Sequence, residues 1–287
     1  MTRIEYKDWL RRSVEAAEKT NATRETMQDL ATTSLFYLLT RILKRKDADR
    51  DWIYDRCLEV EENPDGYLDI WAREHYKSTI ITFALTIQDI IKDPEIKAVI
   101  YSFNRPTAKA FLRQIKTEFE TNATLKWLFP EIFYEDPKKE SPRWSEDAGL
   151  LVKRKGNPKE ATLEAYGLVD GQPTGKHYSL LIYDDVVTKD SVTNTEMIDK
   201  VTYAWEMSLN TGSEGCRKRY VGTRYHYADT YKVMMDREVA KLRMYPCIKD
   251  GESTLFSEDY IAEKKKAMGS FTFACCSPPA KVSTTCQ

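Results

Sequence analysis

The run Leu68-Asp69-Ile70-Trp71-Ala72-Arg73-Glu74-His75-Tyr76-Lys77-Ser78-Thr79 limits the architecture more than any other segment of the chain. An apolar strand enters a short polar turn. Lys-Ser-Thr then opens a helix carrying Ile80, Ile81, Phe83, Ala84, Leu85, Ile87, Ile90 and Ile91. A strand, a tight turn and a helix N-terminus in that order aim backbone N–H donors and the positive end of a helix dipole at one point, which is what a polyphosphate needs. The usual form of such a loop is G-x-x-x-x-G-K-[ST]. Here Trp71 and Tyr76 occupy the two glycine positions. The chemistry of Lys77 and Ser78 is kept, while glycine's freedom at φ > 0 is lost. On this segment alone, a nucleotide site and a plain strand-to-helix turn with a surface lysine both stay open. If nucleotide binds, the loop is expected to take the conventional path, with the Trp71 and Tyr76 side chains turned away from the phosphates.

Composition narrows the setting. A chain of 287 residues, 41% of them hydrophobic, suits one large domain or two small ones. Lys+Arg is 44 against Asp+Glu 45, so the uniformly basic type of nucleic-acid binder is excluded. Any DNA contact must be a local patch or be shared among subunits. No apolar run approaches the roughly 18 residues of a membrane span. The charged N-terminus has no signal-peptide core, and a cytoplasmic, non-secreted protein is expected. The six cysteines form no C-x-x-C pair, and His75, His177 and His226 have no metal-ligand spacing. Reduced thiols and no zinc are the expectation. No G-x-S-x-G nucleophile motif occurs.

Periodicity lays out the rest. Helical spacing over 24–46, capped by Asn21 or Thr23, and a short helix around Ile53, Tyr54 and Leu58 make residues 1–60 an N-terminal helical segment. After the turn Asn63-Pro64-Asp65-Gly66 come strand 68–72 and helix 78–92, which Asp93-Pro94 stops. Strand 97–103 and helix 106–120 follow, then a polar surface excursion over 130–147. A hairpin joins 150–153 to 161–166 across Lys155-Gly156-Asn157-Pro158. Strand 180–183, helix 192–209, strand 219–223, helix 229–240, strand 242–248 and helix 257–268, ended by Gly269, complete the pattern. Strands alternating with helices predict an α/β fold with a mainly parallel central sheet flanked by helices. The last 13 residues have neither period, and an irregular tail is expected over 275–287.

Two further strand ends carry chemistry. Ser179-Leu180-Leu181-Ile182-Tyr183-Asp184-Asp185 is an apolar strand closed by two carboxylates. A nucleotide hydrolase needs one carboxylate near Mg2+ and one to orient the attacking water. Successive side chains at a strand end point opposite ways, so Asp184 and Asp185 can divide these roles. Asp184 is assigned to Mg2+ and Asp185 to the water, although glutamate is the commoner residue there. A helix-capping Asp is the plainer reading of either residue. Tyr220-Val221-Gly222-Thr223-Arg224-Tyr225-His226-Tyr227 ends another strand in Gly-Thr-Arg, a segment that would sense the γ-phosphate or else be an ordinary connector. Arg105, in Ser102-Phe103-Asn104-Arg105-Pro106, is a candidate trans-acting arginine or DNA contact, with a solvated loop residue as the plainer reading. Gly171-Gln172-Pro173-Thr174-Gly175-Lys176-His177 reads as a flexible connector.

Taken in order, LDIWAREHYKST, LLIYDD and YVGTRYHYADTY resemble the large terminase subunit of tailed bacteriophages, over about residues 25–274. That family's ATPase loop often lacks its glycines and often carries an arginine, which Arg73, Lys77 and Ser78 match; Asp184 and Gly222-Thr223-Arg224 match its metal and coupling positions. The resemblance implies a P-loop NTPase of the ASCE type, with the motor core over 61–256. Arg73, Glu74, His75, Tyr76, Lys77, Ser78 and Thr79 would bind ATP, Ser78 and Asp184 would hold Mg2+, and Lys77, Arg73 and Asp185 would be catalytic. It implies double-stranded DNA, a portal protein and a small terminase subunit as partners, in the host cytoplasm. A homo-oligomeric ring is expected when docked, and a monomer is compatible with free solution. Residues 257–274 resemble the link toward a nuclease domain, and with only 13 residues beyond it a motor without its nuclease is expected. A helicase-like ATPase outside packaging, and a degenerate nucleotide- or DNA-binding structural subunit, remain alternatives.

Overall fold

Side-chain caps mark where several helices begin in the computed structural model, which describes residues 1–19 and 22–269. The Tyr37 N–H donates to Ser34 Oγ at 3.2 Å, Leu125 N–H to Asn122 Oδ1 at 2.9 Å, Met197 N–H to Asn194 Oδ1 at 2.9 Å and Lys232 N–H to Asp229 Oδ1 at 3.1 Å. Each satisfies an N–H that the first helical turn leaves orphaned. The Asn21 cap, the end of the expected link at 270–274 and the tail 275–287 lie outside the described residues.

The chain divides into two units. One comprises Met1–Pro64, Ser78–Ile100 and Lys109–Ala165; the other comprises Asp65–Lys77, Tyr101–Ala108 and the residues from Tyr166 onward. The first opens with α1 (Arg3–Lys19), α2 (Thr23–Thr33), α3 (Leu35–Tyr37) and α4 (Asp51–Glu62). The helix expected over 24–46 is therefore broken. Ser34 adopts φ −136° and ψ 102° and caps the next turn instead of continuing the last, after which Leu38–Ile42 is a π-helical turn. Phe36 and Tyr54 meet edge to face at 5.1 Å, and the Gln88 amide donates to Ala31 O at 3.2 Å and Glu61 Oε1 at 2.9 Å.

Between α4 and this unit's next helices runs β1 (Tyr67–Trp71), which belongs to the second unit. The helix after the loop begins as a π-helical stretch, Thr79–Leu85, and continues as α5 (Thr86–Lys92). Then follow β2 (Ala98–Ser102), α6 (Arg105–Thr121), α7 (Ala123–Leu128), α8 (Pro137–Glu140), β3 (Trp144–Ser145), β4 (Gly149–Leu150) and β5 (Leu163–Gly167). The expected hairpin is present: β3, β4 and β5 pair antiparallel, with Leu150 opposite Leu163.

The second unit continues with β6 (Tyr178–Asp184), α9 (Thr195–Ser208), β7 (Gly212–Gly222), α10 (Thr230–Asp236), β8 (Lys241–Tyr245), the small pair β9 (Ile248–Lys249) and β10 (Glu252–Ser253), and α11 (Glu258–Met268). Strand β7 begins well ahead of the expected 219–223, because its first residues are glycine and charged side chains that carry no apolar alternation. Eight strands form one sheet in the order β3-β4-β5-β2-β6-β7-β1-β8. The pairs β6–β7, β7–β1 and β1–β8 are parallel. An α/β fold with a mostly parallel central sheet is thus established, and one strand, β7, separates β1 from β6.

Within this unit, the register fixes the site. Val221 is opposite Asp69 on one side and Asp184 on the other, and Gly222 is opposite Ile70. The carboxyl ends of β1, β6 and β7 therefore finish level, about 10 Å apart from first to last at two strand spacings. Tyr183 stacks on Tyr101 at 5.4 Å and on Tyr220 at 5.0 Å, all three fully buried, locking the rows into register. Beneath the loop, Arg243 forms a two-pronged buried pair with Asp69, Nε to Oδ1 at 2.6 Å and Nη2 to Oδ2 at 3.0 Å.

Candidate nucleotide site

In open α/β sheets, ligands bind at the carboxyl ends of parallel strands. The chain's three singled-out strand ends all lie there. The first carries the loop that follows β1. Trp71 stays in the strand: it is fully buried, its Nε1 donates to Asp69 Oδ1 at 2.9 Å, and its ring meets Tyr245 edge to face at 5.3 Å. The Trp71 ring is thus held by the sheet. The left-handed turn comes later, at Glu74 (φ 64°) and Tyr76 (φ 61°), and the helix starts at Lys77. Tyr76 takes a left-handed backbone at the place where the usual loop has glycine. A non-glycine residue in this region costs roughly 1–2 kcal/mol, so the turn is strained at two positions and must be held by its surroundings.

Lys77 is buried, and its Nζ donates to Thr223 Oγ1 at 3.0 Å. The loop's lysine and the Gly-Thr-Arg segment, 146 residues apart in sequence, thus meet directly. Ser78 and Thr79, the next two residues, are half-buried. Arg73 is exposed; its guanidinium lies 5.3 Å from the centre of the Tyr225 ring and donates to the Tyr225 hydroxyl. Glu74 accepts from the Tyr260 hydroxyl at 2.9 Å and pairs with Lys264, and this ammonium holds its carboxyl below the usual range. Burial pushes the pKa of His75 down, so the imidazole is neutral at pH 7. Its Nδ1 lies 2.8 Å from Arg73 O and its Nε2 lies 3.0 Å from Thr254 Oγ1. Since a carbonyl only accepts, Nδ1 carries the proton; the Thr254 hydroxyl also lies 3.0 Å from Pro246 O.

The second strand end carries Asp184 and Asp185. Asp184 is fully buried, and its carbonyl accepts from Ser102 Oγ at 2.6 Å. Asp185 leaves the strand at φ 49°, a left-handed turn that aspartate tolerates better than most residues, and its N–H donates to Val221 O at 2.9 Å. The Asp185 Oδ1 is buried without a hydrogen-bond partner among the described residues. A carboxylate oxygen left unpaired at a strained strand end is costly unless it has work to do there, such as holding a water.

The third strand end brings Gly222, Thr223 and Arg224. A Cβ on Gly222 would lie 2.1 Å from the hydroxyl of Tyr231, which is fully buried on α10. Burial, and next the charges of Asp185 and Asp229, push that hydroxyl well above its ordinary pKa. Thr223 is buried, and Arg224 folds back on its own turn, donating to His226 O at 3.3 Å and Tyr227 O at 2.6 Å. Asp229 caps α10, and its pKa is raised by burial. Arg105 begins α6; its N–H is held by the Asp170 carboxylate at 3.0 and 3.3 Å.

Three contacts were hidden from the sequence: Lys77 with Thr223, Tyr231 with Gly222, and the Tyr260–Lys264 grip on Glu74. Each joins residues that no local pattern links. Only the Tyr-His-Tyr run beside Gly-Thr-Arg hinted that an aromatic ring would take Arg73.

No protein-family model matches the chain, and no curated protein matches it in sequence. Among solved structures, the chain is similar to the large terminase of a thermophilic bacteriophage in complex with ATP-gamma-S, at TM-score 0.45 and 9% identity, covering 86% of this chain and 50% of that one. The ADP complex of the same protein gives TM-score 0.42 and 11% identity, covering 84% and 49%. A variant of the Thermus phage P74-26 large terminase ATPase domain gives 0.43 and 11%, covering 76% and 89%. The chain spans about half the length of the terminase in the two nucleotide complexes.

Proposed function

We propose that this chain is an ATP-hydrolysing motor of the terminase type, which moves double-stranded DNA into a viral procapsid. The observation that carries the reading is the Lys77–Thr223 hydrogen bond at the carboxyl edge of the sheet. It places a loop lysine, which would neutralise β/γ-phosphate charge, against the segment that would register loss of phosphate.

ATP phosphates would lie on the turn 73–79, facing the backbone N–H groups at the start of the helix. Arg73 would add charge once it leaves Tyr225. Asp185, with its unpaired Oδ1, would orient the attacking water. Ser78 and Asp184 offer hydroxyl and carboxylate oxygens, the hard donors that Mg2+ takes. When bound, Mg2+ would neutralise phosphate charge. Lys77 has three N–H donors, so it can serve phosphate and Thr223 together before hydrolysis and Thr223 alone after it. Movement of the segment Gly222-Thr223-Arg224 would then pass to α10, which it leads into. The DNA, the portal protein, the small terminase subunit, the ring and the host-cell location follow from the same reading, with Arg105 as a candidate contact to DNA or to a neighbouring subunit's nucleotide.

The test is ATP hydrolysis by wild type, Lys77→Ala and Asp185→Ala, with and without double-stranded DNA. DNA-stimulated hydrolysis that falls at least about a hundredfold in both variants is expected, the order lost when one transition-state contact is removed. Hydrolysis indifferent to Lys77 sinks the motor reading. No hydrolysis at all with nucleotide still bound leaves the structural-subunit reading, and hydrolysis without procapsid-dependent DNA uptake leaves the helicase-like one.

A further inference from the structure

A phosphate loop without glycines needs something else to hold its strained turn. We infer that Tyr260 and Lys264 on α11, with Thr254 and Phe256 just ahead of it, are positioning residues that clamp the nucleotide loop in the path glycines give it elsewhere. This rests on the reading that the loop binds nucleotide, and it adds an element that reading does not contain.

The contacts fall on the strained residues. Glu74, at φ 64°, has one carboxylate oxygen, Oε2, that takes both the Tyr260 hydroxyl at 2.9 Å and the Lys264 ammonium. His75 is fully buried between strained neighbours, fixed through Nε2 by Thr254 and edge to face with Phe256 at 5.3 Å. Phe256 in turn packs on Tyr260 at 5.0 Å. The helix itself is seated at the root of the loop. Ile261 is in one buried cluster with Ala72, the first loop residue, and Cys247, and Ile248 and Phe256 pack against it. The segment from Thr254 to Lys264 thus reaches Ala72, Glu74 and His75, contacts of 179 to 190 residues' separation where the hydrogen bonds are counted.

The division of labour is physical. The Glu74 and Lys264 side chains are 51% and 30% exposed, so the ion pair alone is weak. Shared with the tyrosine, and backed by a buried imidazole, it fixes a carboxylate whose backbone would otherwise relax to negative φ. Because Ile261 and Lys264 share one helix face, α11 cannot shift without pulling on the loop.

The experiment uses the full chain and two readouts. The first is hydrogen exchange of the 73–77 amides without nucleotide. The second is affinity for a fluorescent ATP analogue with Mg2+, beside KM and kcat. In Tyr260→Phe/Lys264→Ala the loop amides should exchange several-fold faster, and nucleotide affinity should fall about three- to tenfold, with kcat within about twofold, since tenfold is about 1.4 kcal/mol of loop ordering. Adding Glu74→Gly should recover most of the affinity, because glycine takes φ 64° unaided. That rescue separates positioning from direct contact with nucleotide and from general misfolding, which a melting curve checks. Unchanged exchange in the double variant overturns the clamp, as does lost affinity that Glu74→Gly does not restore. A wild type that binds no nucleotide fells the site reading instead, and exchange still decides the clamp.

Discussion

At single residues, the site is built from backbone conformations that the residue types do not announce. Glu74, Tyr76 and Asp185 all sit at positive φ without being glycine. By contrast Gly222, which is glycine, needs the absence of a side chain rather than freedom of φ. Its missing Cβ is where the Tyr231 hydroxyl and Cζ lie, at 2.1 and 2.3 Å. The neighbouring Val221 carbonyl takes the Asp185 N–H and, at 3.5 Å, the Tyr231 hydroxyl. Filling this space should therefore disturb the carboxylate end of β6 as well as β7. Gly222→Ala is expected to cost about 2–3 kcal/mol, as overpacking of a tight interior does. Urea unfolding of Gly222→Ala, Tyr231→Leu and the pair should show strong coupling, the double variant losing much less than the sum of the two. Strict additivity would mean that the ring does not occupy that space in solution.

At the scale of elements, the sheet strands that carry the site were legible, because β1, β2 and β6 are apolar runs bounded by turn residues. What the sequence concealed has physical causes. The start of β7 is polar and glycine-rich, so its strand character comes from pairing with β6, not from its own side chains. The break at Ser34 is a hydroxyl competing with the helix for a backbone N–H. The ion pair Asp69–Arg243 is the clearest case: a charged residue in the middle of each of two strands argues against burial, yet the two side chains are 2% and 3% exposed. The register places them opposite each other, and Tyr67 covers the guanidinium at 4.4 Å from its ring centre. Breaking such a pair from one side is far worse than replacing both sides. Arg243→Leu should cost about 3–5 kcal/mol because Asp69 is left buried and charged, whereas Asp69→Leu/Arg243→Leu should recover most of it. Equal losses in the single and double variants, measured by urea unfolding, would count against this. With the Trp71 Nε1 also bound to Asp69, the single variant should weaken nucleotide binding too, since it loosens the strand from which the loop springs.

For the whole molecule, the question is how a chain with 44 basic and 45 acidic residues would grip a polyanion. Many basic side chains are already engaged within the protein: Arg3 and Lys7 with Asp49, Arg113 with Glu146, Lys109 with Asp147, Arg219 with Asp65, Arg243 with Asp69. On the proposed reading, a chain of balanced charge would share its contact with DNA among copies along the duplex. Each phosphate neutralised contributes a log–log salt slope of about −0.9. A single chain should therefore show a shallow slope and weak binding, and an assembled set a steep one. Measured as DNA-stimulated ATP hydrolysis, the stimulated part should rise faster than linearly with chain concentration at fixed DNA. It should collapse between about 50 and 200 mM salt at high chain concentration, and be the same on AT-rich and GC-rich duplex. The DNA-independent rate, set by the loop and the strand ends, should change little over that range. Stimulation linear in chain concentration with a steep slope would place a complete DNA site on one chain, which its balanced charge makes hard to build. A strong preference for one sequence would turn the interaction from phosphate grip to base readout and remove the reason for a ring.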